Sequence, residues 1–490
     1  MREAVNAAAD FRNTRRAAAR HEAKGDPQSA VRLAWQALDA APGDLEAKIF
    51  VSRLLNRHPH LAEPDRAAQL HAMTIDPDLD PVLLALPGWA ALRDSLSAAD
   101  AEPRVIAEWL EGAAFARDLL SQSYKVDLRI EALFTRLRRW LLIEDKATDY
   151  PLSLAALITH AGHNGGAWLF DGEERARLDA APDAPIAAAY RPARRLLPAL
   201  SHTSTVTQAV AEQYAAWPYP EWRRIATPPS ETLAGFCRSF DPDVTIPDDA
   251  EILVAGCGTG LEALRLSRWA PRARITAIDL SATSLSYAAE RSAAGGATNI
   301  TFEQRDLHEV AGLGKQFDFI SCRGVLMALP DPEAGWTALT GVLKPGGIQR
   351  ITVYSKIARL KILAARTMLG DLLDRPLTDD LLREARARVM HGPPTLLTQS
   401  PAFFYLGGVH DLLVHRQEDP FTVARVRDNI ERQGLEFLGF RFHSPADAAR
   451  YHRDYPGDPR QRDFDAWAAF ERQNFHAFVQ MYDFACRKPL

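Results

Sequence analysis

Between Glu251 and Tyr354 short β-branched runs alternate with stretches of helical period, and this alternation narrows the fold more than any other feature of the chain. The order is "EILVAG", a helix, "RITAIDL", a helix "TSLSYAAERSAA", "ITFEQRD", "FDFISCRG", a helix "EAGWTALTGVL", then "KPGG" into "IQRITVY". Such an order predicts an α/β domain with a mainly parallel, doubly wound sheet and helices on both faces. Ligands on such sheets bind at the carboxyl ends of the strands, near the switch in strand order. Gly256, Gly258 and Gly260 stand at the first of these ends. Glycines there permit positive φ and a close backbone approach, and the next helix offers free N–H groups and a positive dipole end.

Three ligands compete for that turn. A nucleoside triphosphate needs G-x-x-x-x-G-K-[ST], and no lysine follows Gly260. A dinucleotide needs G-x-G-x-x-G, whereas the spacing here is G-x-G-x-G. The third is S-adenosylmethionine. "VAGCGTG", Asp279 ending the second strand, "QRDL" with Asp306, "FDFISCRGVLMALPDP" and "LKPGG" stand in the order found in class I methyltransferases, which residues 205 to 355 resemble in detail. The resemblance implies a seven-stranded Rossmann-like sheet and S-adenosylmethionine as cofactor. It implies cofactor contacts from Gly256, Cys257, Gly258, Gly260, Asp279, Leu280, Asp306, Leu307 and Arg323. Asp279, about twenty residues past the glycines, is suited to accept from both ribose hydroxyls. Asp306 can accept from the adenine amino group, or cap the helix "LHEVAG" that follows it.

Two positions depart from the family pattern. Val254 stands where many members carry an acidic residue, so the contact to the methionine amino group has to come from a backbone carbonyl or Gln213. Met327 and Ala328 stand where relatives often carry a histidine. Ahead of the sheet, "EQYAAWPYPEWRR" is similar to the "YEENPYPRW" signature of a bacterial subgroup that couples a helical, often repeat-containing N-terminal region to this domain. Its prolines fix Trp217, Tyr219 and Trp222 as rigid surfaces, either a substrate or cofactor wall or a buried aromatic plug joining two domains. "HDLLVHRQEDPFT" and "FERQNFHAFVQMYDFACRK" extend the likeness to the end of the chain.

The other segments are helical in pattern. Up to about residue 200 nothing alternates like a strand, and "DPQSAVRLAWQALDAAPGDLEAKIFVSRLLNR" reads as a hairpin resembling a tetratricopeptide repeat or, equally, as one hairpin of an ordinary α-domain. After Tyr354 about sixty residues intervene before the helix "TVARVRDNIERQG" and the strands "LEFLGFRF" and "FVQMYDFAC" that would complete the sheet. An insertion there is expected to form a lid over the substrate. The expected domains are therefore a helical one (1–200), the cofactor-binding core (201–360), the lid (361–420) and the completing helix and strands (421–490).

Methyl transfer to an oxygen or a protonated nitrogen releases a proton. His410, Asp411, His415 and Glu418 in the insertion are the candidate bases or substrate contacts, and Arg323 and Tyr354 stand at strand ends where such folds place catalytic groups. The four cysteines form no C-x-x-C pair, so neither a zinc site nor a disulfide framework is expected. A net charge of -5 disfavours nucleic acid as a partner. No apolar run approaches the ~18 residues of a membrane span, and the N-terminal stretch lacks a signal-like apolar core, so the expectation is a cytoplasmic protein. The leading reading is a methyltransferase acting on a small molecule, or on a peptide or protein recruited by the helical region. The alternative is a non-catalytic S-adenosylmethionine-binding regulator with a partner-binding helical domain.

Overall fold

The computed structural model describes residues 2–99, 102–180, 206–392, 397, 400–415, 417–475, 477–478 and 481–490. The expected boundary near residue 200 lies outside the described residues. The chain forms two compact units.

One unit holds a seven-stranded sheet in the order β3-β2-β1-β4-β5-β7-β6. Its strands are β1 (Glu251–Ala255), β2 (Arg274–Asp279), β3 (Ile300–Gln304), β4 (Phe317–Arg323), β5 (Leu343–Tyr354), β6 (Glu436–Phe440) and β7 (Met481–Arg487). The first five pair in parallel, and β7 runs antiparallel between β5 and β6. This is the doubly wound sheet that the strand–helix alternation predicts. Apart from the edge strand β3, which has no buried residue, each strand's apolar run is buried, as a strand between two helical layers must be. Ile252 and Val254 pack on one side with Ile275, Leu266 and Trp269. Leu253 and Ala255 pack on the other with Phe317, Trp336 and Trp467. Val254 therefore belongs to the core, 3% exposed. An acid at that position would enter an apolar layer.

Beneath the start of the helix Leu261–Trp269 a charged network ties three strands together. Arg350 of β5 forks onto Asp483 of β7 at 2.9 and 2.6 Å and reaches Glu262 at 2.8 Å. Glu262 also accepts from Arg323 at 2.7 Å and Arg265 at 2.9 Å. Burial opposes ionisation of Glu262, but the arginines outweigh it and hold the carboxyl well below the usual range. Asp483 is likewise opposed by burial and held at about 2, chiefly by Arg350.

The other unit is helical. Its hairpin Pro27–Ala40 and Leu45–Arg57 breaks at "APGD" as the periodicity predicts, with Asp26 capping Ser29 and Asp44 capping Ala47. Between Arg2 and Ala180 the described residues contain helices and turns but no strand. Residues Ala365–Val414, most of the segment expected to cover the sheet's edge, pack in the helical unit. Arg386 forks onto buried Glu131 at 2.5 Å on both branches, and Arg383 donates to the Gly166 carbonyl at 2.6 Å. These arginines on the helix Asp379–Met390 satisfy a carboxylate and a carbonyl that would otherwise be buried alone, and that fixes where the insertion goes. No helix among the described residues is long and apolar enough to cross a membrane.

Candidate active site

The glycine turn follows β1. Gly256, Gly258 and Gly260 all have positive φ, at 67°, 51° and 84°. Sterics add a second requirement: a Cβ on Gly256 would meet Val325 at 2.3 Å, and one on Gly260 would meet Ala288 at 2.6 Å. The turn is pinned from β2. Asp279 accepts the Gly258 N–H at 2.7 Å and the Ser281 N–H at 2.9 Å. Burial pushes the Asp279 carboxyl above the ordinary aspartate value, against the pull of these N–H groups. Cys257 is buried and its thiol is pushed well above the usual range by burial and by Asp279, so it offers the site backbone rather than a nucleophile.

The helix Leu261–Trp269 starts at Gly260 without a side-chain cap. The helices of this unit starting at Leu233, Ala282, Pro332, Val423, Pro445 and Phe464 all have one. The uncapped N–H groups and dipole end lie at the turn, where a polar ligand can take the place of the cap. Asp279 and this helix start thus suit the cofactor that the resemblance implies. At the end of β3, Asp306 caps the next turn by accepting the His308 N–H at 2.9 Å and also meets the His308 ring, while Leu307 is buried and the Leu280 carbonyl accepts from Gln304.

The proline-fixed segment is seated on the glycine turn. The Tyr219 carbonyl lies 2.9 Å from where a Gly258 Cβ would be. Thr259 donates to the Pro220 carbonyl at 2.6 Å, the Trp222 indole donates to the Thr259 carbonyl at 3.0 Å, and Tyr287 donates to the Trp222 carbonyl. Trp217 and Trp222 are buried and Tyr219 is half-buried. Trp222 therefore plugs and anchors the turn.

A second segment, residues 417–421, lies along the ends of β4 and β5. Asp419 donates its N–H to the Met327 carbonyl, and Phe421 donates to the Tyr354 carbonyl, both at 2.8 Å. Glu418 is paired with Arg359, whose guanidinium lies 4.1 Å from the centroid of the Tyr354 ring. Tyr354 and Glu418 are thereby taken up in packing. Arg323, a third exposed, leaves the end of β4 toward Glu262. His415 bonds through Nε2 to the Tyr214 hydroxyl at 3.0 Å, and its Nδ1 accepts the Gln417 N–H at 3.2 Å.

The structure therefore brings Tyr219, Arg323, Tyr354, His415 and Glu418 to the carboxyl edge of one sheet. His410 and Asp411 belong to the other unit. They are buried in the helix Leu406–Leu413 of the helical unit. Tyr214 is the residue that the sequence reading missed. Its signal was its place in the helix Val206–Ala216, three residues before Trp217, on the approach to the proline-fixed stretch.

Residues 252–347 match the family model described as a methyltransferase domain. Glu251–Arg487 is a Rossmann-like methyltransferase domain. Its sheet, glycine turn and domain match are those of the class I, S-adenosylmethionine-dependent enzymes. The chain is 36% identical over 258 residues to an uncharacterized Synechococcus protein, covering 48% of this chain and 60% of that one. A trans-aconitate 2-methyltransferase of Deinococcus radiodurans is 32% identical over 104 residues, 21% of this chain and 38% of the relative. A malonyl-[acyl-carrier protein] O-methyltransferase of Acetivibrio thermocellus is 33% identical over 105 residues, 21% and 35% of the two chains. The chain thus spans 60% or less of the length of each of these relatives. Among solved structures, PKMT2 from Rickettsia typhi overlaps 52% of the chain and 53% of its own at a TM-score of 0.41 and 16% identity.

Proposed function

We propose that the chain transfers the methyl group of S-adenosylmethionine to an oxygen or nitrogen acceptor on a small molecule, or on a peptide recruited by a repeat-like helical region, in the cytoplasm. The observation that carries this reading is the uncapped helix start at Gly260 beside Asp279, at the switch between β1 and β4. Asp279, the glycine turn and Asp306 would hold the cofactor. When bound, it supplies an electrophilic methyl group on a sulfonium. Positioning and exclusion of water can then supply much of the rate. Arg323 and the proline-fixed segment would border the place where an acceptor enters, and the similarity to a trans-aconitate 2-methyltransferase fits a small-molecule acceptor.

The full chain, incubated with methyl-labelled S-adenosylmethionine and a small-molecule extract, should form S-adenosylhomocysteine only when the extract is present. Tight cofactor binding with no turnover in any extract would overturn catalysis and leave the sensor reading.

A further inference from the structure

One face of the sheet changes character toward the carboxyl ends of its strands. Farther in it is apolar, with Phe319 and Ile348 packed among Leu266 and Phe236. Nearer the end, Arg323 of β4 pairs with Thr352 of β5, Thr352 pairs with Asp483 of β7, and the Arg441 N–H, just past β6, donates to the Asp483 carbonyl at 2.7 Å. These four residues form one row across β4, β5, β7 and β6. One step in, Ser321 pairs with Arg350. The side chains share a face, because Glu262 accepts from both Arg323 and Arg350, and the Phe236 ring centroid lies 4.6 Å from the Arg350 Cζ and 5.6 Å from the Arg441 Cζ.

Arg441 ends this row without a hydrogen-bonded acid among the described residues. Both Asp483 oxygens accept from Arg350, at 2.9 and 2.6 Å, and Arg441 stops 3.9 Å away. Glu262 is likewise occupied, by Arg323, Arg350 and Arg265. Arg323, Arg350 and Arg441 thus share two carboxylates, and Glu231 is the further acid that attracts Arg441. Burial, and then repulsion from Arg350, holds the Arg441 guanidinium below its ordinary value, with Asp483 and Glu231 pulling the other way. Its side chain is 52% exposed and that of Arg323 33%, so both can be reached from solvent. Apolar residues would cover a sheet face at a lower desolvation cost, so a charged row with two open guanidiniums serves something besides stability.

Resting on the methyltransferase reading above, we propose that this row is the subsite for an anionic group of a small-molecule acceptor, a carboxylate or a phosphate, held by Arg441 and Arg323. Across three strand spacings their Cα atoms stand about 14 Å apart. Both guanidiniums lean over the row, toward Asp483 and Glu262. A planar fork on each side suits the oxygens of either group. Arg323 stands one strand from β1 and its glycine turn, whereas Arg441 is four spacings from β1, about 19 Å. The group that Arg441 holds is therefore the acceptor's, and it anchors the molecule rather than taking the methyl.

The test uses the full chain, first in calorimetry with S-adenosylhomocysteine present and citrate or inorganic pyrophosphate as the titrant. One of the two should bind at one site per chain. Arg441→Gln should weaken that binding by about ten-fold, as expected for the loss of a charge-assisted fork. Arg441→Lys, which keeps the charge but not the fork, should fall between. S-adenosylhomocysteine affinity should be the same in the wild type and both variants, which a loss of fold would not allow. In turnover with methyl-labelled S-adenosylmethionine and a small-molecule extract, the labelled product should be retained by an anion-exchange resin at neutral pH. Phosphatase should release it if the group is a phosphate and leave it retained if it is a carboxylate. Arg441→Gln should need about ten-fold more extract for half-saturation, with kcat unchanged. Binding of neither anion, equal binding in wild type and Arg441→Gln, or a labelled product without negative charge would overturn the proposal. A chain that takes up citrate or pyrophosphate but no S-adenosylhomocysteine would instead bring down the methyltransferase reading and leave the anion site standing.

Discussion

Asp279 pins the Gly258 N–H, and in the proposed site it would also accept from the ribose hydroxyls. Only the ionised form offers both oxygens as charged acceptors; protonation turns one of them into a donor. Because burial raises its pKa, cofactor affinity should fall on acidification at a pH above that of an ordinary aspartate, and binding titrations from neutrality downward will show where. Glu471 is a simpler case of the same physics. Burial raises its pKa above the usual range despite bonds from Ser355 and Tyr482. A raised folded pKa contributes stability that is full below the unfolded value of about 4.3 and is lost as pH rises through the folded value. Glu471→Gln should therefore gain on the wild type as pH rises, read as the difference between their urea midpoints at acid and neutral pH. Asp483 has the opposite sign. Its folded value of about 2 lies below the unfolded one, so its contribution is present above about pH 4 and lost as pH falls toward 2. Gly256→Ala should lose stability through both the positive φ and the Val325 contact, and adding Val325→Ala should restore only the steric share, by thermal melts of the three variants.

The elements show what the sequence could and could not reveal. Every strand of the sheet was legible, because runs such as "EILVA" and "RITAID" are too apolar and too short to be anything but doubly covered strands. The glycine turn was legible because φ restricts residue choice locally. The destination of the insertion was not. Helical periodicity in "DDLLREARARVM" says that one face is buried but not against what. What decides it is Arg386 on Glu131, 255 residues apart, and no local rule links them. The same blindness hid Tyr214, whose partner His415 lies 201 residues on. At this scale the account predicts that Arg386→Ala will cost about 3–5 kcal/mol by leaving Glu131 buried without its partner, checked by denaturant unfolding. Replacing both residues by apolar side chains should recover much of that cost.

Taken whole, the helical unit is built from three stretches of the chain, two before the sheet begins and one between β5 and β6. A chain truncated to start near residue 206 would leave the helix Asp379–Met390 without Glu131 and the Gly166 carbonyl, and should show faster hydrogen exchange there than in β1 to β5. Uniform protection across both would contradict this division. The central claim, that the sheet's carboxyl edge holds S-adenosylmethionine, is tested most directly by calorimetry of the full chain with S-adenosylhomocysteine. The account predicts one site per chain, with Asp279→Ala weaker by about 10- to 100-fold, as expected for charge-assisted bonds of about 1.5–3 kcal/mol. No binding, or equal affinity in wild type and variant, would contradict it.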